Sequence, residues 1–99
     1  MLSAIFKQIL LFKKRQRLHE ITLEDVFLSF YYEKELGQDL EKILDKIEAL
    51  LRDPKAGQPG EIDELRAQAV EIQQIKHRID TNHKVKRELE MYIETIRQS

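Results

Sequence analysis

Three side chains in this sequence have a spacing that suits metal chemistry: His77, Asp80 and His83. On a helix, residues three apart lie about one turn apart, so any two of these could hold a zinc ion at the surface. The third would not join them, because each step of three residues drifts by about 60° around the helix axis. Such pairs arise freely in polar helices, so we predict no metal and no cofactor, and interpret the three residues as solvated.

Motifs that carry catalysis are missing from the sequence, which has no glycine-rich phosphate loop, nucleophile elbow or His-Glu-x-x-His helix. The sequence also has no cysteine, which excludes disulfides, thiol catalysis and cysteine-based zinc sites. We therefore expect a protein that is not an enzyme, and we assign no catalytic residue.

The composition indicates one all-α domain covering residues 1–99. Apolar residues make up 41% of the 99 residues and charged residues 35%, which is too apolar for a disordered chain. Leu, Ile, Glu, Lys, Arg and Gln dominate, a profile typical of long helices with narrow apolar seams. Four of the five glycines and prolines fall within residues 53–60, where no helix can continue.

Apolar spacing and end signals predict three helices, covering 2–18, 23–52 and 61–97. The first is short and amphipathic, and its apolar residues at helical spacing are Leu2, Ile5, Phe6, Ile9, Leu10 and Phe12, with Leu11 as an extra. Thr22 followed by two acids resembles a helix N-cap, which starts the second helix at residue 23. Gly37 and a faltering pattern after Phe30 predict a bend or short break before Leu36.

The predicted loop 53–60 is short, so the second and third helices must lie antiparallel, as a long coiled-coil-like hairpin. Its second-helix seam, with alternating steps of four and three, runs through Leu36, Leu40, Ile43, Ile47 and Leu50. We expect the short first helix to cover the last turns of the third, around Ile93 and Ile96. Asn82 falls in or beside the third seam, where it would either fix the register or lie at the margin.

The net charge of −1 hides an uneven distribution: residues 1–19 carry +5, residues 20–63 carry −7 and residues 64–99 carry +1. Two basic groups, Lys13–Arg17 and Lys84–Arg87, raise nucleic acid as a partner, but a protein of this size that binds it is normally basic overall. We therefore consider nucleic acid unlikely. The apolar stretch before Lys13 lacks a cleavage site and is too short to span a bilayer.

The favoured interpretation is a protein–protein interaction module: an adaptor, a chaperone-like protein or an assembly subunit that binds a partner or itself. This interpretation rests on the apolar residues of the sequence, which are more than one hairpin can bury. We expect it to be cytoplasmic. The alternative is a peripheral membrane protein anchored by the basic, amphipathic first helix. The predicted contact residues are Phe6, Ile9, Phe12, Phe27, Tyr31 and Tyr92.

Overall fold

The computed structural model describes residues 3–99, and every regular element among them is helical. Helix α1 is Ala4–Tyr31, a π-helical turn follows at Tyr32–Leu36, and α2 is Gly37–Arg52. A short 3₁₀ turn at Pro54–Ala56 leads to α3, Glu61–Gln98. The predicted helix start at Leu2 lies outside the described residues.

The prediction of three separate helices is wrong, because α1 continues through the expected break at residues 19–22. Thr22 does not cap a new helix. Its hydroxyl donates a hydrogen bond to the Leu18 carbonyl, at 2.7 Å, within the helix that is already there. No glycine or proline lies between Ala4 and Leu36, so nothing in the backbone stops the helix. Residues 4–52 are therefore one helical stretch, interrupted only by the π turn.

The described chain forms two units: residues 3–27 with Ile79–Ser99, called here the terminal unit, and Leu28–Arg78, called the loop unit. In the terminal unit, Lys7 donates to the Arg97 carbonyl at 3.1 Å, and Asp25 contacts His83 at 2.8 Å. The residue numbers of the contacted positions on α3 fall as the residue numbers on α1 rise, so the two segments are antiparallel. Leu11, Ile93 and Ile96 form the buried core of this unit, with Leu10 and Leu18 packed against them.

In the loop unit, α2 and the first turns of α3 are joined by residues 53–60. The Lys46 ammonium contacts the Glu61 carboxylate at 3.0 Å, and the same carboxylate accepts a hydrogen bond from the Gln58 N–H at 3.0 Å. Gly60 precedes α3 with a φ of 81°, a conformation that favours glycine. Both partners lower the pKa of Glu61, the Gln58 N–H most and Lys46 next.

The π turn has a clear reason in the spacing of the large covered side chains between residues 28 and 50. These are Leu28, Tyr32, Leu36, Leu40, Ile43, Ile47 and Leu50. The first three steps are all of four residues, and the alternation of four and three begins only at Leu40. One residue too many therefore lies in this stretch, and a wider turn absorbs it. The Gly37 N–H accordingly bonds the carbonyl of Tyr32, five residues back. The sequence thus located the irregularity, but its form is a π turn in a continuous helix.

Candidate protein-binding surface

A second apolar line runs along α1 on the side away from the core of the terminal unit. We call it the outer seam, and its members follow steps of four and three without exception: Ile5, Ile9, Phe12, Gln16, His19, Leu23 and Val26. All seven are exposed. Their spacing is the seam pattern of a coiled coil, the form in which one helix packs along another.

The same helix carries its covered residues on the opposite side. Leu11 and Ile21 are buried, at 4% and 3% exposure, and Leu18 is half-buried. At about 100° per residue, this inner line lies roughly 160° from the outer seam. Helix α1 is therefore apolar on two nearly opposite faces, and the chain itself covers one of them.

Shallow grooves lie between side chains at the N-terminal end of the outer seam. An open groove of about 560 Å³ is lined by Ala4, Ile5, Gln8, Ile9, Phe12, Lys13 and Gln16. A second groove of about 430 Å³ continues beside Phe12, Gln16 and His19. Grooves that follow a helix and are lined by apolar side chains fit the ridges of another helix.

The six predicted contact residues are all exposed, at 40–69%. Ile9 and Phe12 belong to the outer seam, and Phe6 and Phe27 each follow a seam residue directly in sequence and flank it. Tyr92 lies on α3 of the terminal unit, where the Lys14 ammonium is 5.1 Å from its ring centre. Tyr31 belongs to the loop unit. The structure therefore groups four of the six along one face of α1.

One assignment made from the apolar pattern is wrong, because Leu11, predicted as an extra to the apolar line of the first helix, is a core residue at 4% exposure. Phe30, after which the predicted pattern falters, is 62% exposed. Four further members of this surface are not among the predicted contact residues: Gln16, His19, Leu23 and Val26. The unbroken steps of four and three from Ile5 to Val26 could have identified them. The predicted break before residue 23 assigned these residues to two different helices and so hid the pattern.

A polar contact joins α1 and α3 inside the terminal unit. Asn82 is buried, at 9% exposure, and its amide donates to the Glu24 carboxylate at 3.4 Å. Asp25 is also buried, at 8% exposure, and lies 2.8 Å from the half-exposed imidazole of His83. Of the two interpretations of Asn82, the structure supports a place in the covered line of α3, not at its margin.

The metal-like spacing around Asp80 leads to a different arrangement, because the imidazole Nε2 of His83 contacts Asp25 on α1. Among residues 3–99, no three side chains of the metal-binding types are grouped closely enough to hold an ion.

The basic residues Lys13–Arg17 do not share one side of α1. Lys14 reaches Tyr92 on α3, whereas Arg17 pairs with Glu20 at 3.6 Å on the exposed surface. Along the described part of the chain, no helix has the length and apolarity needed to cross a membrane. No protein-family model, curated protein or solved structure matches this chain.

Proposed function

We propose that this chain is a non-enzymatic protein–protein interaction module, an adaptor, chaperone-like protein or assembly subunit, that binds a helix along the outer seam of α1. The observation that carries the proposal is the unbroken coiled-coil spacing of seven exposed positions, five of them apolar. A face with that spacing normally has a helix packed on it. The occupied seam and the antiparallel hairpin would together form a coiled-coil-like assembly.

The exposure of the seam is large enough to drive binding. Ile5 is 77% exposed, Phe12 69%, Val26 62% and Leu23 58%. Burying a side chain of this size completely stabilises a complex by about 1.5–3 kcal/mol. Because the four are already partly covered, together they have about as much left to bury as 2.7 fully exposed side chains. Covering them therefore contributes roughly 4–8 kcal/mol before the cost of association. Isolated apolar side chains at a surface need no explanation, but apolar side chains that recur at coiled-coil spacing along one face of a helix indicate an interface.

A protein helix suits this seam better than a membrane surface does. Basic residues flank the seam only in its first half, at Lys13 and Arg15, whereas Glu20 flanks its second half. Anionic lipid would attract the first half and repel the second. A protein partner can match both signs of charge.

The test is photo-crosslinking of the full chain in the cells that express it. Phe12 is replaced by p-benzoylphenylalanine, which keeps the shape of an aromatic side chain and reacts with whatever lies against it. The matched control carries the same group at Val70, which is 49% exposed, is not on α1 and is outside the seam. We expect a discrete protein adduct from position 12, either with this chain or with another, and none from position 70.

Two results would overturn the proposal. One is a lipid adduct from position 12 together with flotation of the chain on anionic vesicles, which would favour the membrane alternative. The other is an absence of adducts from position 12 while Phe12→Ala leaves every association unchanged. That substitution should cost little folding stability, because Phe12 is 69% exposed.

A further inference from the structure

Resting on the proposed function, we infer that the helix on the outer seam is α1 of a second copy of this chain, lying antiparallel. The pairing places seam residue i of one copy against seam residue 35 − i of the other. Three kinds of observation point to this occupant: the symmetry of the seam spacing, the charge of the two halves of α1, and the residues that flank the seam.

The spacing of the seam reads the same in both directions. From Ile9 to Val26 the steps are three, four, three, four and three. Two antiparallel copies can therefore align all six seam positions from Ile9 to Val26 at once. Ile9 then faces Val26 of the second copy, Phe12 faces Leu23, and Gln16 faces His19. Each apolar residue meets an apolar residue, and the two polar positions meet each other at the centre.

The polar centre restricts the alignment. Gln16 and His19 can hydrogen-bond across the pair, because an amide and an imidazole both offer donors and acceptors. If one copy slid by seven residues, Gln16 and His19 would each be buried against an apolar side chain of the other copy, which costs stability. Single polar positions in a coiled-coil seam are a well-attested way of fixing register.

The charges favour antiparallel copies over parallel ones. Residues 4–17 carry five basic residues and no acid, whereas residues 18–27 carry three acids and no Lys or Arg. In a parallel pair the two basic halves would face each other. In an antiparallel pair each basic half faces an acidic half, and complementary charge steers association.

The flanking residues match in the same alignment. The residues directly after Ile5, Phe12, His19 and Val26 lie beside the seam on one side, and in antiparallel coiled coils such residues meet their equivalents on the other helix. Lys13 then faces Glu20 of the second copy, and Phe6 faces Phe27. The exposed rings of Phe6 and Phe27, at 50% and 69% exposure, would shield each other from water.

The experiment is a charge swap followed by sedimentation equilibrium of the full chain over a range of concentrations. We expect a dimer for the natural sequence. Lys13→Glu and Glu20→Lys should each weaken it by roughly tenfold, because each turns two attractive pairs per dimer into repulsive ones. The double variant K13E/E20K restores both pairs and should recover most of the lost affinity.

Circular dichroism of each variant checks that the helices persist. Lys76→Glu, an exposed charge reversal on α3 in the loop unit, is the matched control and should leave the dimer unchanged. A dimer in which the double variant is no stronger than the single ones would overturn the antiparallel pairing. In a parallel dimer it is Arg15 that would face Glu20, so Lys13→Glu would not rescue Glu20→Lys.

The same measurements separate this inference from the function on which it rests. A chain that stays monomeric, yet gives an adduct with a different protein from position 12, would overturn self-association and leave the interaction function standing. A monomeric chain with no adduct at all would overturn both.

Discussion

At the scale of single residues, the neighbours Leu11 and Phe12 show what the sequence leaves undecided. Both are apolar, and both fit a helical pattern. Leu11 is 4% exposed in the core with Ile93 and Ile96, whereas Phe12 is 69% exposed on the outer seam. A helix with two apolar faces offers two equally good candidates for the core. Only the position of α3 decides between them, and that is not encoded within α1.

Glu61 gives a prediction about pH. Its pKa lies below its ordinary value of 4.5 because it accepts the Gln58 N–H and contacts Lys46. The folded state therefore favours the ionised form. This stabilisation is fully present above pH 4.5 and is lost as the pH falls through the lowered value. We expect Glu61→Gln to lower the urea midpoint slightly at pH 7 and the difference to vanish near pH 2.

The comparison is made by urea unfolding of both proteins between pH 7 and pH 2. Because the Gln58 N–H is the larger cause, the Glu61→Gln effect should shrink but persist in a Lys46→Met background. A difference that grows as the pH falls would contradict the assignment, since it would mean that the native state favours the protonated carboxyl.

At the scale of elements, the end of α2 and the start of α3 follow from local chemistry, whereas the continuity of α1 does not. Pro54, Pro59 and Gly60 act within a few residues, and no distant contact can rescue a helix through them. Thr22 can either cap a new helix or bond back to Leu18, and its sequence neighbours permit both. The burial of Ile21 and the contact of Asp25 with His83 on α3 favour the continuous helix.

The extra residue in the π turn can be tested by deletion. Deleting Glu33, an exposed residue within it, should convert the turn to ordinary α-helix, because covered residues at 28, 32, 36 and 40 would then follow steps of four, three and four. We expect thermal stability to stay within a few degrees of the natural chain or to rise, as measured by circular dichroism.

Deleting Asp45, which is also exposed, is the control. It lies in regular α-helix, so everything between it and the loop would rotate by about 100°. Ile47 and Leu50 would leave the covered line, and the melting temperature should fall sharply. Equal losses from both deletions would show that the extra residue in the π turn is not surplus.

At the scale of the whole molecule, the two units differ in how far along the chain their contacts reach. The ion pair of Lys46 with Glu61 spans a short loop, whereas the bond from Lys7 to the Arg97 carbonyl joins residues 90 positions apart. Closing a longer loop costs more entropy, and contacts that close it tend to form later in folding. We therefore expect the loop unit to fold first.

Matched substitutions of core leucines test this order by stopped-flow refolding at low protein concentration. Leu50→Ala in the loop unit and Leu11→Ala in the terminal unit remove similar, buried side chains, at 7% and 4% exposure. Each should cost about 2 kcal/mol or more. The first should mainly slow folding, and the second mainly speed unfolding. The opposite pattern would place the terminal contacts in the folding nucleus.

The two segments of the terminal unit are far apart in sequence, and this has a consequence during synthesis on the ribosome. Residues 3–27 are made well before their partners in Ile79–Ser99. At about 5–20 residues per second, the intervening stretch of roughly fifty residues takes some seconds to translate. Throughout that interval Leu11 and Ile21 are as uncovered as Ile9 and Phe12, so a nascent α1 displays apolar side chains on both faces. We therefore expect α1 to be bound before α3 is made, either by a chaperone or by α1 of another chain translated from the same mRNA.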